Sequence, residues 1–134
     1  MIRRSRIFGF AIVLLAMTLA LALAMDTKCT QCGMMVNMDS PFTSKITQRD
    51  TTLYFCDIGD LFAYLRKMDP KDARAEVRDY PTRAWLDARK AHYVHGAKKF
   101  STPMGWGIAA FKDVSVASQS GTALDFDGMA ETLK

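Results

Sequence analysis

The chain is short of the residues from which most binding and catalytic sites are built. It has two histidines, three cysteines and four prolines in 134 residues. A closed zinc site takes about four Cys or His ligands. Here Cys29 and Cys32 form the one paired-cysteine motif, so Cys56, His92 and His95 would have to complete such a site without a second knuckle. There is no basic patch interleaved with aromatics, which argues against nucleic-acid binding. No nucleophile stands beside a general base. Asp57, Asp60, Asp125 and Asp127 read as helix caps and helix-face residues, so the chain reads as a non-enzyme. Nor is there a low-complexity linker, and the length fits one domain or at most two small ones.

Long apolar runs are absent except at the start. Arg3, Arg4 and Arg6 precede a stretch from Ile7 to Ala24 that is apolar apart from Thr18 and Gly9. Residues 1–24 read as an export signal or membrane anchor. Ala22-Leu23-Ala24 offers the small residues a signal peptidase favours, and cleavage would fall before Met25. Left uncut, about 18 apolar residues reach the lower limit for spanning a bilayer. The arginines lie before the apolar run, so either reading places the body in the periplasm or otherwise outside the cytoplasm. Asp26, Thr27 and Lys28 precede Cys29 where a lipoprotein signal would need small apolar residues. Three of the 18 basic residues and none of the 14 acids fall in the leader. The remaining body therefore carries a net charge near +1, and the basic pI says little about partners.

What is present in quantity is sulfur. Cys29-Thr30-Gln31-Cys32-Gly33-Met34-Met35 places two thiols and two thioethers within seven residues. Soft donors gathered this closely suit a soft cation, and copper(I) takes thioethers as well as thiolates. A Cys-x-x-Cys pair also fits half a zinc site or a redox dithiol. The redox reading expects a helix N-terminus at the pair, and none is signalled there. Neighbours in an extended segment face opposite ways, so one of Met34 and Met35 can face a metal, and Met34 is favoured. Met104 sits in Thr102-Pro103-Met104-Gly105-Trp106-Gly107, a turn rigid enough to present one side chain. Cys56 reads either as a small buried hydrophobe or as a third sulfur ligand at a helix N-terminus. His92 and His95, three apart on a strand, point to opposite faces and do not share a site.

The hydropathy pattern is α+β. Phe42–Thr47 and Thr52–Cys56 alternate as strands around a turn at Gln48-Arg49-Asp50. Asp57 caps a helix from Ile58 to Lys67, ended by Pro70, and Glu76–Tyr80 returns as a strand. The second half repeats this ββαβ plan. Trp85 to His92 is ambiguous, Tyr93–His95 and Gly107–Phe111 are strands, and Asp113–Ser118 is a short helix. Thr122–Phe126 is a strand, and Asp127 caps a helix from Gly128 to Leu133. The expectation is two small ββαβ units, over residues 25–82 and 83–134, sharing one core.

Four blocks in order resemble the NosL family of nitrous oxide reductase accessory proteins. They are Cys29-x-x-Cys32-Gly33-Met34-Met35; Tyr54-Phe55-Cys56-Asp57-Ile58 with Leu61-Phe62-Ala63-Tyr64-Leu65; Trp85-Leu86-Asp87-Ala88 with Tyr93-Val94; and Thr102 to Phe111. The resemblance implies two ββαβ units related to a module of the organomercurial lyase MerB. It implies an exported protein that binds one copper(I) and passes it to an apo copper enzyme or its assembly machinery, with the cysteines of the first block and Met104 as copper candidates. The expected metal set is Cys29, Cys32, Met34, Met104 and Cys56, acting by ligand exchange. A thiol-disulfide oxidoreductase using Cys29 and Cys32 is the rival reading.

Overall fold

In the computed structural model, residues 26–96 and 98–134 are described. The expected leader, 1–24, lies outside them. Among the described residues no helix is long and apolar enough to cross a membrane.

The first hairpin forms as its β-branched alternation demands. β1 (Ser44–Gln48) pairs antiparallel with β2 (Thr51–Phe55), Ile46 opposite Leu53, around a tight turn in which Arg49 takes φ 53°. The chain then enters α1 (Ile58–Met68). Asp57 is its N-cap, with the carboxylate accepting from the Gly59 N–H, while Arg66 and Lys67 complement the negative end. Asp69, in the left-handed conformation, ends the helix ahead of Pro70. β3 (Arg74–Arg78) runs antiparallel to the other side of β1, and β4 (Trp85–Asp87) antiparallel to β3. The sheet order is β2-β1-β3-β4. The ambiguous segment after Ala84 thus extends the first sheet. Both the Lys45 ammonium and the Arg78 guanidinium lie over its Trp85 ring, 4.2 and 3.9 Å from the ring centre.

A second, two-stranded sheet pairs β5 (His92–His95) with β6 (Ile108–Phe111). It is followed by α2 (Val114–Ser120), capped by Asp113, and α3 (Phe126–Thr132). Two expectations fail here. Thr122–Phe126 is not a strand: Leu124 alone bridges to Tyr93, through two backbone hydrogen bonds of 2.7 and 2.8 Å, and Phe126 already begins the helix. The N-cap of α3 is Asp125, not Asp127. Its Oδ1 accepts from the Gly128 N–H at 2.7 Å, leaving Asp127 in the first turn, where its charge suits the helix's positive end.

The fold is α+β with the two sheets joined in one core. Tyr80 N–H donates to the Ala110 carbonyl at 2.7 Å, tying the end of β3 to β6. Ile58, Leu61 and Phe62 of α1 pack with Val77 of the first sheet and with Tyr93, Ile108 and Met129 of the second half. Phe62 is the pivot, its ring centre 5.4 Å from that of Tyr93 and 4.9 Å from that of Phe126. Phe62→Ala is therefore expected to destabilise the protein by about 3–5 kcal/mol, as cavity-forming aromatic truncations do. The check is the urea midpoint. A change too small to resolve would mean that α1 does not join the two halves.

Candidate metal centre

The Cys-x-x-Cys segment folds back on itself. Cys29 N–H donates to the Met34 carbonyl at 2.7 Å, Gly33 N–H to the Cys29 carbonyl at 2.9 Å, and Val36 N–H to the Thr27 carbonyl at 2.8 Å. Gly33 makes this turn at φ 77°, a conformation that costs glycine nothing and other residues a good deal. A further bond, from Thr30 N–H to the Tyr54 carbonyl at 2.9 Å, holds the loop on the edge strand β2. β2 ends at Phe55, so the next residue, Cys56, lies just ahead of the α1 cap. Hairpin, loop and helix start thereby converge.

At that convergence Cys29, Cys32, Cys56 and Asp60 place their ligand atoms within 4.8 Å of one another. Cys29, Cys56 and Asp60 are each 3% exposed, and Cys32 is half-buried. Cys29 Sγ lies 3.4 Å from Asp60 Oδ2, Cys56 Sγ lies 3.6 Å from the same oxygen, and Cys32 and Cys56 touch Sγ to Sγ at 3.4 Å. All three thiols are free. Among the described residues no cation pairs with Asp60. Its other oxygen, Oδ1, accepts from Trp106 Nε1 at 2.9 Å. A carboxylate buried with three thiols and no basic partner is a place where a cation lowers the energy.

The loop carrying Met104 closes over the first turn of α1. Met104 N–H donates to Asp57 Oδ2 at 3.0 Å, and Gly107 N–H to Thr102 Oγ1 at 3.0 Å. Trp106 lies flat on Gly59, where a Cβ would meet the indole at 2.0 Å. Only glycine admits the ring there.

Burial pushes the Cys56 thiol far up from its ordinary 9.0, helped by the neighbouring sulfurs of Cys32 and Cys29. Cys32 is raised as well, chiefly by burial, while the Met34 N–H facing its sulfur acts the other way. Without metal the pocket thus favours the neutral form of Cys32 and Cys56, although the start of α1 is close by.

Three of the expected residues, Cys29, Cys32 and Cys56, come together, and Cys56 is a member of the cluster rather than a lone core thiol. Met34, Met35 and Met104 are exposed, at 47%, 55% and 43%. The backbones of Met34 and Met104 join the hydrogen bonds that shape the centre. Met38 packs against the core. His92 and His95 lie on β5 and do not belong to the cluster. Asp60 reads in the sequence as a helix-face acid because of its i+3 spacing from the cap, and the structure places it in the cluster. The signal that could have found it is Cys56 four residues earlier, one helical turn away.

Two outcomes follow from this geometry. Trp106→Phe keeps the ring over Gly59 but removes the donor to buried Asp60, and should cost about 1–3 kcal/mol by chemical denaturation. A neutral result would mean that Asp60 is otherwise satisfied. The second concerns alkali. Cys56 and the buried Tyr93 phenol both hold their protons more tightly when folded than their ordinary 9.0 and 10.0. Their contribution to stability is complete below pH 9 and is lost as the pH rises beyond it, when the unfolded chain ionises first. The metal-free protein should therefore lose thermal stability between pH 9 and 11, and Cys56→Ala should lose less.

No curated protein matches the chain. A crystal structure described as the copper chaperone NosL from Shewanella denitrificans aligns with a TM-score of 0.62 and 23% identity, covering 75% of this chain and 87% of that one. At that identity the likeness establishes the fold. The sequence model of NosL matches residues 20–132, nearly the whole chain. The chain belongs to the NosL family.

Proposed function

We propose that this protein is a copper(I) carrier, which loads one ion at Cys29, Cys32 and Cys56 and releases it to an apo copper enzyme or its assembly machinery. The observation that carries the reading is the buried cluster of three thiols around Asp60. Thiolates select soft monovalent copper over the hard cations that carboxylates prefer. The structural neighbour's description as a copper chaperone supports the same reading. Nitrous oxide reductase is the proposed client, on the strength of the family resemblance.

The construction suits a carrier. Cys32 is half-exposed and sits on a surface loop, so an incoming ligand reaches the ion from that side while Cys29 and Cys56 still hold it from within. Transfer proceeds by exchange of sulfur ligands, with no covalent chemistry on the cargo. Met34 and Met104, exposed and on loops whose backbones shape the centre, would serve as weak thioether ligands for the passing ion. The basic and apolar segment at residues 1–24 supports placing this exchange outside the cytoplasm, in the periplasm or at its inner membrane.

Anaerobic titration of the reduced full chain against a copper(I) chelator tests the proposal. Cys32→Ser and Cys56→Ser should each weaken binding by roughly a hundredfold or more, and Met104→Ala by about tenfold or less, in line with thiolate and thioether strengths. Wild-type affinity in the Cys32→Ser/Cys56→Ser double variant would overturn the site. Because thiols must lose protons to bind, affinity should fall as the pH falls, by about tenfold per pH unit for each thiol ionised. A flat profile between pH 6 and 8 would contradict thiolate ligation.

A further inference from the structure

The three thiols are not equivalent partners for one another. Cys29 and Cys56 both turn their sulfurs to Asp60 Oδ2, at 3.4 and 3.6 Å. Cys32 and Cys56, 24 residues apart, are in sulfur–sulfur contact at 3.4 Å. The backbone bond from Thr30 to Tyr54 fixes the loop of one against the strand leading to the other, so this contact is set by main chain as well as by rotamers. A disulfide bond measures about 2.0 Å, so the two sulfurs need to close by only about 1.4 Å. Exposure is also unequal, since Cys32 is the half-buried member and Cys29 and Cys56 are closed off.

We propose that Cys32 and Cys56, rather than the neighbouring pair Cys29 and Cys32, are the oxidisable dithiol of this protein, and that their disulfide closes the centre to copper. The second clause rests on the copper reading above; the first does not. The co-reactant is an external disulfide, protein-borne or small. Cys32, as thiolate, attacks one of its sulfurs. The incoming S–S bond breaks, and the first leaving thiolate is protonated from solvent. Cys56 then attacks the Cys32 sulfur of the mixed disulfide, and its proton goes to the second leaving thiolate. Two thiols of the chain lose two electrons, and the external disulfide becomes two thiols. The closed form retains only Cys29 and Asp60 as free donors in the cluster. Conversely, copper held on Cys32 and Cys56 occupies the sulfurs that an oxidant must reach. Loaded carrier is protected, and empty carrier must be reduced before it can load.

The test begins without metal. Reduced full chain is incubated with oxidised glutathione, quenched by alkylation, digested and mapped by mass spectrometry. The expected product joins the Cys32 and Cys56 peptides and leaves Cys29 alkylated after denaturation. Cys29→Ser should still form the bridge, whereas Cys56→Ser should stop at a glutathione adduct on Cys32. A dominant link between Cys29 and Cys32, or efficient bridging that fails only in Cys29→Ser, would overturn the assignment. In the second arm, copper(I) uptake by the bridged protein should fall at least a hundredfold and return after reduction. Undiminished uptake would overturn the closing role. If the reduced protein also takes up no copper, the carrier reading fails together with the closing role, and the mapped pair stands by itself.

Discussion

Asp60 lies in the first turn of α1, and its two oxygens receive hydrogen bonds from three separate parts of the chain. Oδ2 faces Cys29 from the amino-terminal loop and Cys56 from the end of the first hairpin, while Oδ1 takes the indole N–H of Trp106 from the loop before β6. Removing a carboxylate from water is expensive, and hydrogen bonds from an indole and two thiols recover only part of that cost. The arrangement persists because hairpin, helix and core enforce it. Asp57 reinforces it from the same turn, with one oxygen on the helix and the other on the Met104 N–H. The two acids thus pin both loops to a single helix start.

From that junction the rest of the molecule can be read outward. The first sheet carries Cys56 to the helix, and α1 buries its apolar stripe against both sheets, so the position of Asp60 is fixed by the core of the whole domain. The second sheet delivers the Trp106 loop. A glycine at position 59 is required because the indole occupies the space any side chain would need. On its inner side the centre is closed by the buried Cys29, Cys56 and Asp60. Toward solvent it is bounded by the half-buried Cys32 on its tight turn, and this asymmetry suits an ion that must both be retained and be handed on.

Much of this was legible in the sequence, for definite physical reasons. The hairpin, the Asp57 cap and the apolar stripe of α1 announce themselves through alternation, capping chemistry and helical spacing, and all three form. The sulfur-rich loop was identifiable from composition alone. What local pattern did not reveal was long-range pairing. Trp85–Asp87 is a strand because β3 offers it an edge, and Leu124 makes a single bridge because Asp125 caps the helix directly after it. Asp60 reads locally as a helix-face acid, and Cys56 as either a small core thiol or a third sulfur ligand. Only the folding of the Cys29 loop onto β2 turns them into parts of one cluster, while the side chains of Met34 and Met104 are exposed.

Copper-edge X-ray absorption on the full chain, loaded anaerobically with one equivalent of copper(I), reads the ligands of the bound ion. The account calls for a first shell dominated by sulfur, losing one sulfur scatterer in Cys56→Ser while His92→Ala and His95→Ala leave it unchanged. A shell of nitrogen or oxygen ligands, or one indifferent to Cys56, would place the copper elsewhere and contradict the account.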